Sequence, residues 1–183
     1  MGTYVMLDLK AFLNNRGCTL LSENHLGSLS LGGSSLPTEE FPFGKTLTVD
    51  TVPFAFAQTE TGNDNMECTE QTIPLSPCVV KQLHVLGTSS NTDLFDSVSF
   101  LYKGTIVHQG RLYLSSFTSS EPAFTDRSVL TFSALHTRAG RYDHIKPHLW
   151  YCSLPLAQPQ IVDSLQFEDN PSMHIFALTI ESE

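Results

Sequence analysis

The stretch Ser97-Val98-Ser99-Phe100-Leu101-Tyr102-Lys103-Gly104 decides the fold. Successive side chains of an extended chain point to opposite faces, so Val98, Phe100 and Tyr102 share one side and Ser97 and Ser99 the other. Lys103-Gly104 is a turn pair, and residues 105–114 resume a strand pattern, so the segment predicts a β-hairpin.

Working outward, the same rhythm recurs. Residues 79–86 are nearly apolar on both faces toward their end, which predicts a strand with neighbours on both sides. Residues 129–135, 149–154, 161–167 and 174–180 read as further strands, and in the last of them Phe176, Leu178 and Ile180 are expected on one face. Toward the N-terminus, residues 4–9, 47–49, 52–56 and 71–73 are short strands, and Pro53 places its strand at an edge or a strand start. Thr61-Gly62-Asn63-Asp64-Asn65 is a turn cluster, residues 87–91 form a loop, and residues 14–42, rich in Asn, Gly, Ser and Pro, form a long one. No segment carries three turns of helical period. About ten or eleven short strands separated by turn signals predict an all-β, antiparallel sandwich, in a single domain over residues 1–183.

Composition agrees. Charged residues make up 16% of the chain, against about 25% in ordinary globular domains, and Ser, Thr, Asn and Gln fill the polar positions. Ten basic and 19 acidic residues give a formal charge of -9, and no basic stripe compensates it, which excludes nucleic acid as a partner and favours neutral ligands or cations. Cys18, Cys68, Cys78 and Cys152 form no C-x-x-C pair and are expected as free thiols, because a core of this size needs no covalent staple. The N-terminus has no signal-peptide pattern, and no apolar run approaches the roughly 18 residues of a membrane span. The expected location is cytoplasmic for the chain as given, or secreted if it is excised from a larger protein, with no membrane partner.

Five segments carry a resemblance. Leu13-Asn14-Asn15-Arg16-Gly17 follows the first strand, and Leu36-Pro37-Thr38-Glu39-Glu40-Phe41-Pro42 closes the long loop. Val49-Asp50-Thr51-Val52-Pro53-Phe54-Ala55-Phe56 resembles a "V-D-G-V-P-F-x-F" box with Thr51 in the glycine position. Leu83-His84-Val85-Leu86-Gly87 resembles "L-x-L-L-G", and residues 170–180 resemble a closing strand. Together they resemble the accessory β-sandwich domains of bacterial glycoside hydrolases, of the galactose-binding, discoidin-like jelly-roll type. The resemblance implies a jelly roll and a non-catalytic carbohydrate-binding or accessory role. The family's "L-S-D-W" is here Leu114-Ser115-Ser116-Phe117, so any contact made by that Asp and Trp is missing.

The residues themselves argue against an enzyme. The chain has no G-x-S-x-G, P-loop, G-x-G-x-x-G or H-E-x-x-H pattern, and the adjacent Glu39 and Glu40 point opposite ways on an extended chain. His136, His144 and His148 are close in sequence, but Pro147 opposes the helix that the spacing of the last two requires, so no metal site is expected. His84 and His174 lie in apolar strands and read as satisfied core or edge residues. No cofactor is expected; structural calcium is the alternative, at Asn63, Asp64 and Asn65 or at Asp93 with Asp96.

A sugar site on a sandwich needs an aromatic platform with hydroxyl-bonding groups beside it. Residues 138–151 offer that mix, and Arg141, Tyr142, Asp143, His148 and Trp150 are the expected ligand-binding set, for a glycan or small carbohydrate. The competing account of Trp150 places it in the core. The alternative function is a structural or self-association domain with a protein partner, a homo-oligomer included, and a metal-assisted enzyme on a sandwich scaffold is the third.

Overall fold

The computed structural model describes residues 2–183. Among the described residues fourteen strands form: β1 (Thr3–Met6), β2 (Cys18–Thr19), β3 (Leu36–Pro37), β4 (Thr46–Val49), β5 (Val52–Ala55), β6 (Met66–Thr69), β7 (Thr72–Ser89), β8 (Leu94–Tyr102), β9 (Thr105–Leu114), β10 (Arg127–Thr131), β11 (Leu135–Thr137), β12 (Gly140–Tyr142), β13 (His148–Phe167) and β14 (Asp169–Ser182). Three 3-10 turns are the only helical segments among the described residues.

One antiparallel sheet of eight strands dominates. Its order is β1-β14-β7-β13-β8-β9, with β10 beside β13 and β6 beside β14. β7 is paired on both sides, as its apolar end predicts. The β8–β9 hairpin forms as expected, and its turn residues Lys103 and Gly104 both take positive φ, the geometry of a tight two-residue turn. Pro53 lies in the two-stranded β4–β5 sheet, where a missing N–H is tolerated.

The sheet is apolar on both faces. Along β13 the side chains alternate: Leu149 joins one cluster, Trp150 and Cys152 the other, and Tyr151 packs beside Leu149. The first cluster gathers Leu83, Val85, Phe100, Trp150, Leu165 and Ile180; the second gathers Leu36, Phe41, Phe54, Leu86, Phe132 and Phe176. The β4–β5, β2–β3 and β11–β12 pairs, with the loops between them, supply much of the second cluster and make the covering layer. The result is a β-sandwich. Register shifts at 155/160 in β13 and 175/177 in β14 bend the long strands.

Several expectations change. The strands expected at residues 71–73 and 79–86 are one long strand, β7, which runs through Ser89 into the expected 87–91 loop, and the strand expected at residues 129–135 is divided between β10 and β11. Residues 149–154 and 161–167 belong to one strand, β13, broken by a bulge rather than a turn. Phe176 does not share a face with Leu178 and Ile180. The bulge leaves residue 176 unmatched between Ile175, opposite Gly87, and Ala177, opposite Leu86. One extra residue reverses the phase of a period-two pattern, so Phe176 and Ala177 enter the second cluster while Ile175, Leu178 and Ile180 stay in the first.

Candidate functional site

A half-open pocket of about 340 Å³ lies where β14 leaves β6 and β7 ends. Its lining includes Asn15, Leu31, Glu67, Ser90, Ser172 and His174. The local sequence explains the opening. Cys68 pairs with Asn170, but the next residue back on β6, Glu67, pairs with His174, so residues 171–173 leave the β6 ladder, while Met173 lies opposite Ser89 of β7 and is buried in the first cluster. Pro171 has no N–H to give a ladder, which favours the break at that point. Ser90, just past β7, donates its amide to Ser172 O at 2.8 Å and fastens the bulge across the gap. The facing wall is a turn in which Leu29 N donates to Ser34 O and Gly33, at φ +75°, donates to Ser30 O. Leu29 is fully buried beneath it, and Leu31 stands 94% exposed at the rim.

The floor is a buried chain of polar groups. Asp64 accepts the amides of Gly17 and Cys18, both at 2.8 Å, and also the Asn65 amide nitrogen at 2.8 Å. The Asn65 nitrogen also lies 3.2 and 3.1 Å from Asn15 O and Oδ1. Those acceptors orient the Asn65 side chain and leave its Oδ1 facing His174 Nδ1 at 3.0 Å. An amide oxygen only accepts, so the imidazole proton sits on Nδ1 and Nε2 carries a lone pair. Ser90 Oγ is 3.4 Å from that Nε2 and 3.4 Å from Ser172 O. Asn15 spends both amide protons, on Ser28 O and Glu67 Oε2.

Burial sets the charges. It lowers His174 to about 4, so the ring is neutral at pH 7. It raises Asp64 to about 6, against the hydrogen bonds from Asn65, Gly17 and Cys18 that pull it down. Gly17 is required by this packing: a Cβ there would meet Asn65 Nδ2 at 2.6 Å and Phe176 Cζ at 3.0 Å.

The residues expected from sequence fall elsewhere, in separate pairs rather than one group. Arg141 and Asp143 pair with each other at 2.6 Å on the exposed end of the β11–β12 hairpin. Tyr142 is partly exposed, with its ring 5.4 Å from that of His144. His148 is half-buried and stacks at 5.1 Å on Trp150. Trp150 itself is fully buried and its indole N–H donates to Ser116 O at 3.0 Å, so its ring offers no platform to a ligand; the core placement holds. His148 does line a second half-open pocket, of about 410 Å³, with His144 and Lys146, but Arg141, Tyr142, Asp143 and Trp150 are not part of it.

The carboxylates named for structural calcium bond to backbone amides. Both oxygens of Asp64 accept N–H groups, and Asp93 and Asp96 accept the amides of Ser116 and Ser97. His136 is buried with Nδ1 3.1 Å from Thr19 O. Among the described residues no three His, Cys, Asp or Glu side chains gather as a metal site. The four cysteines are unpaired. His84 is buried with Nδ1 2.8 Å from the Tyr151 hydroxyl, but its Nε2 makes no hydrogen bond, so it is only half satisfied. His174 has Asn65 at Nδ1 and Ser90 at Nε2, and it also lines the pocket, which its apolar flanks concealed.

Residues 3–183 match the model of the AziU2-like beta-sandwich domain, and the chain belongs to that family. No curated protein matches the chain.

Proposed function

We propose that this domain is a non-catalytic binding module that takes a small, hydroxyl-rich ligand, a saccharide or sugar-like compound, in the pocket above His174. The carrying observation is the fixed polar floor. Asn65 and Asp64 hold the imidazole in one tautomer, so Nε2 and Glu67 present preset acceptors at the base of a pocket, with the Ser90 hydroxyl as donor between Nε2 and Ser172 O. Preset polar groups within partly apolar walls are the usual form of a small-molecule site. Leu31 and Pro171 supply apolar surface for the C–H face of such a ligand.

Binding is favoured over catalysis by the same network. Ser90, His174 and Asn65 follow one another as a nucleophile, base and orienting group would. The orienting group, however, is a neutral amide, which stabilises an imidazolium less than a carboxylate does. With His174 lowered to about 4, the ring is a weak proton acceptor at pH 7, far from the match between pKa and working pH that general bases show. The resemblance to accessory domains of glycoside hydrolases supports the same ligand class.

The test is a thermal-shift screen of simple saccharides on the wild type, Leu31→Ala and Ser28→Trp. Leu31 is exposed and its truncation should leave the unliganded melt unchanged. Ligands that raise the melting temperature of the wild type should do so less in Leu31→Ala and not at all in Ser28→Trp, which obstructs the mouth. Equal stabilisation of all three proteins would place binding elsewhere.

A further inference from the structure

We infer that this pocket selects ligands that carry an organic ammonium group, held by Glu67 with His174 Nε2 and Ser90 as neighbouring acceptors. The inference rests on the binding role proposed above and names the chemistry of its ligand.

The groups that line the pocket set the charge of the ligand it can hold. No Lys or Arg lines it, and Glu67 is its one charged side chain. Glu67 Oε2 accepts a single proton, from Asn15 Nδ2 at 2.9 Å, and the other Asn15 amide proton goes to Ser28 O. Asn15 therefore has no donor left for a ligand. The His174 proton points away, at Asn65. What faces the cavity is the Glu67 carboxylate, the His174 Nε2 lone pair, which competes with Ser172 O for the single Ser90 hydroxyl proton, and the Ser90 and Ser172 hydroxyl oxygens. A ligand anion would meet the Glu67 charge with no cation to offset it. A ligand ammonium brings several N–H donors to a site with surplus acceptors, and a charge-assisted hydrogen bond is about twice as strong as a neutral one. The chain's formal charge of -9 biases the encounter the same way.

Three probes of one shape separate the outcomes: glucosamine (cationic), glucose (neutral) and glucuronate (anionic). Each is titrated into the 15N-labelled protein and followed at the amides of Glu67, Ser90, Ser172 and His174, in the wild type and in Glu67→Gln. The amide oxygen of Gln can still accept the Asn15 proton, and a melt confirms that the variant folds. Glucosamine should bind the wild type roughly tenfold or more tighter than glucose, glucuronate should bind more weakly than either, and the preference for glucosamine should vanish in Glu67→Gln. Equal binding of glucosamine and glucose at these amides would overturn the ammonium selectivity and leave the binding role standing. No response to any of the three at these amides would overturn both.

Discussion

Asn65 Oδ1 lies 3.0 Å from His174 Nδ1, and this contact fixes which imidazole nitrogen faces the pocket. The Asn65 nitrogen is turned toward Asp64 and Asn15, so the ring is held with its proton on Nδ1. Nitrogen-15 spectra at pH 7 should show a neutral His174 with Nδ1 protonated and Nε2 bare, titrating near 4. A protonated Nε2 at neutral pH would reverse the arrangement of acceptors on the pocket floor.

The two buried titrating groups oppose each other in stability. Asp64 is raised from 3.8 to about 6, so the stability it contributes is full below 3.8 and is lost as pH rises through about 6. His174 is lowered from 6.5 to about 4, so its contribution is full above 6.5 and is lost as pH falls through about 4. His174→Gln removes only the second. Relative to the wild type it should gain stability as pH falls from 6.5 toward 4, by at most about 1.4 kcal/mol per pH unit, since one proton is involved. Groups common to both proteins cancel in the difference. A difference that does not change with pH would show that His174 is not buried neutral.

Gly17 and Asp64 close the floor from below. Gly17→Ala forces a methyl group against Asn65 and Phe176 and should cost about 1–3 kcal/mol, the usual range for an overpacked site. Asp64→Ala leaves the Gly17 and Cys18 amides without their acceptor and should cost about 1–3 kcal/mol for each. Denaturant unfolding measures both, and a neutral Asp64→Ala would mean that those amides find other partners.

Trp150 belongs to the core. Trp150→Ala should cost about 3–5 kcal/mol in denaturant unfolding. Tyr142→Ala, on the exposed hairpin, should leave both the melt and any saccharide binding unchanged. Loss of binding in Tyr142→Ala would move the site to the β11–β12 hairpin.

The strands were legible because a sandwich writes its pattern locally. Val98 and Phe100 alternate with serines, and Lys103-Gly104 can hardly be other than a turn. The misplacement of Phe176 has the opposite cause: a bulge reverses the phase without marking the sequence. The site was not legible for a related reason. Asn15, Asn65, Ser90 and His174 come from four distant segments that only the β6–β14–β7 pairing brings together. Each looks ordinary alone: an asparagine in a loop, a serine after a strand, a histidine among apolar neighbours. Residues 138–151 attracted notice because their rings and charges are adjacent in sequence, yet period two turned Trp150 inward and the hairpin carried Arg141 to Asp143 outward.

The claim that the pocket above His174 is the binding site is tested most directly by one amide-resolved titration of the 15N-labelled protein with glucosamine. The account predicts saturating shifts, described by a single binding constant, at Asn15, Ser28, Glu67, Ser90, Ser172 and His174, with the amides of residues 138–151 unmoved. Shifts confined to residues 138–151, with those six amides still, would contradict it.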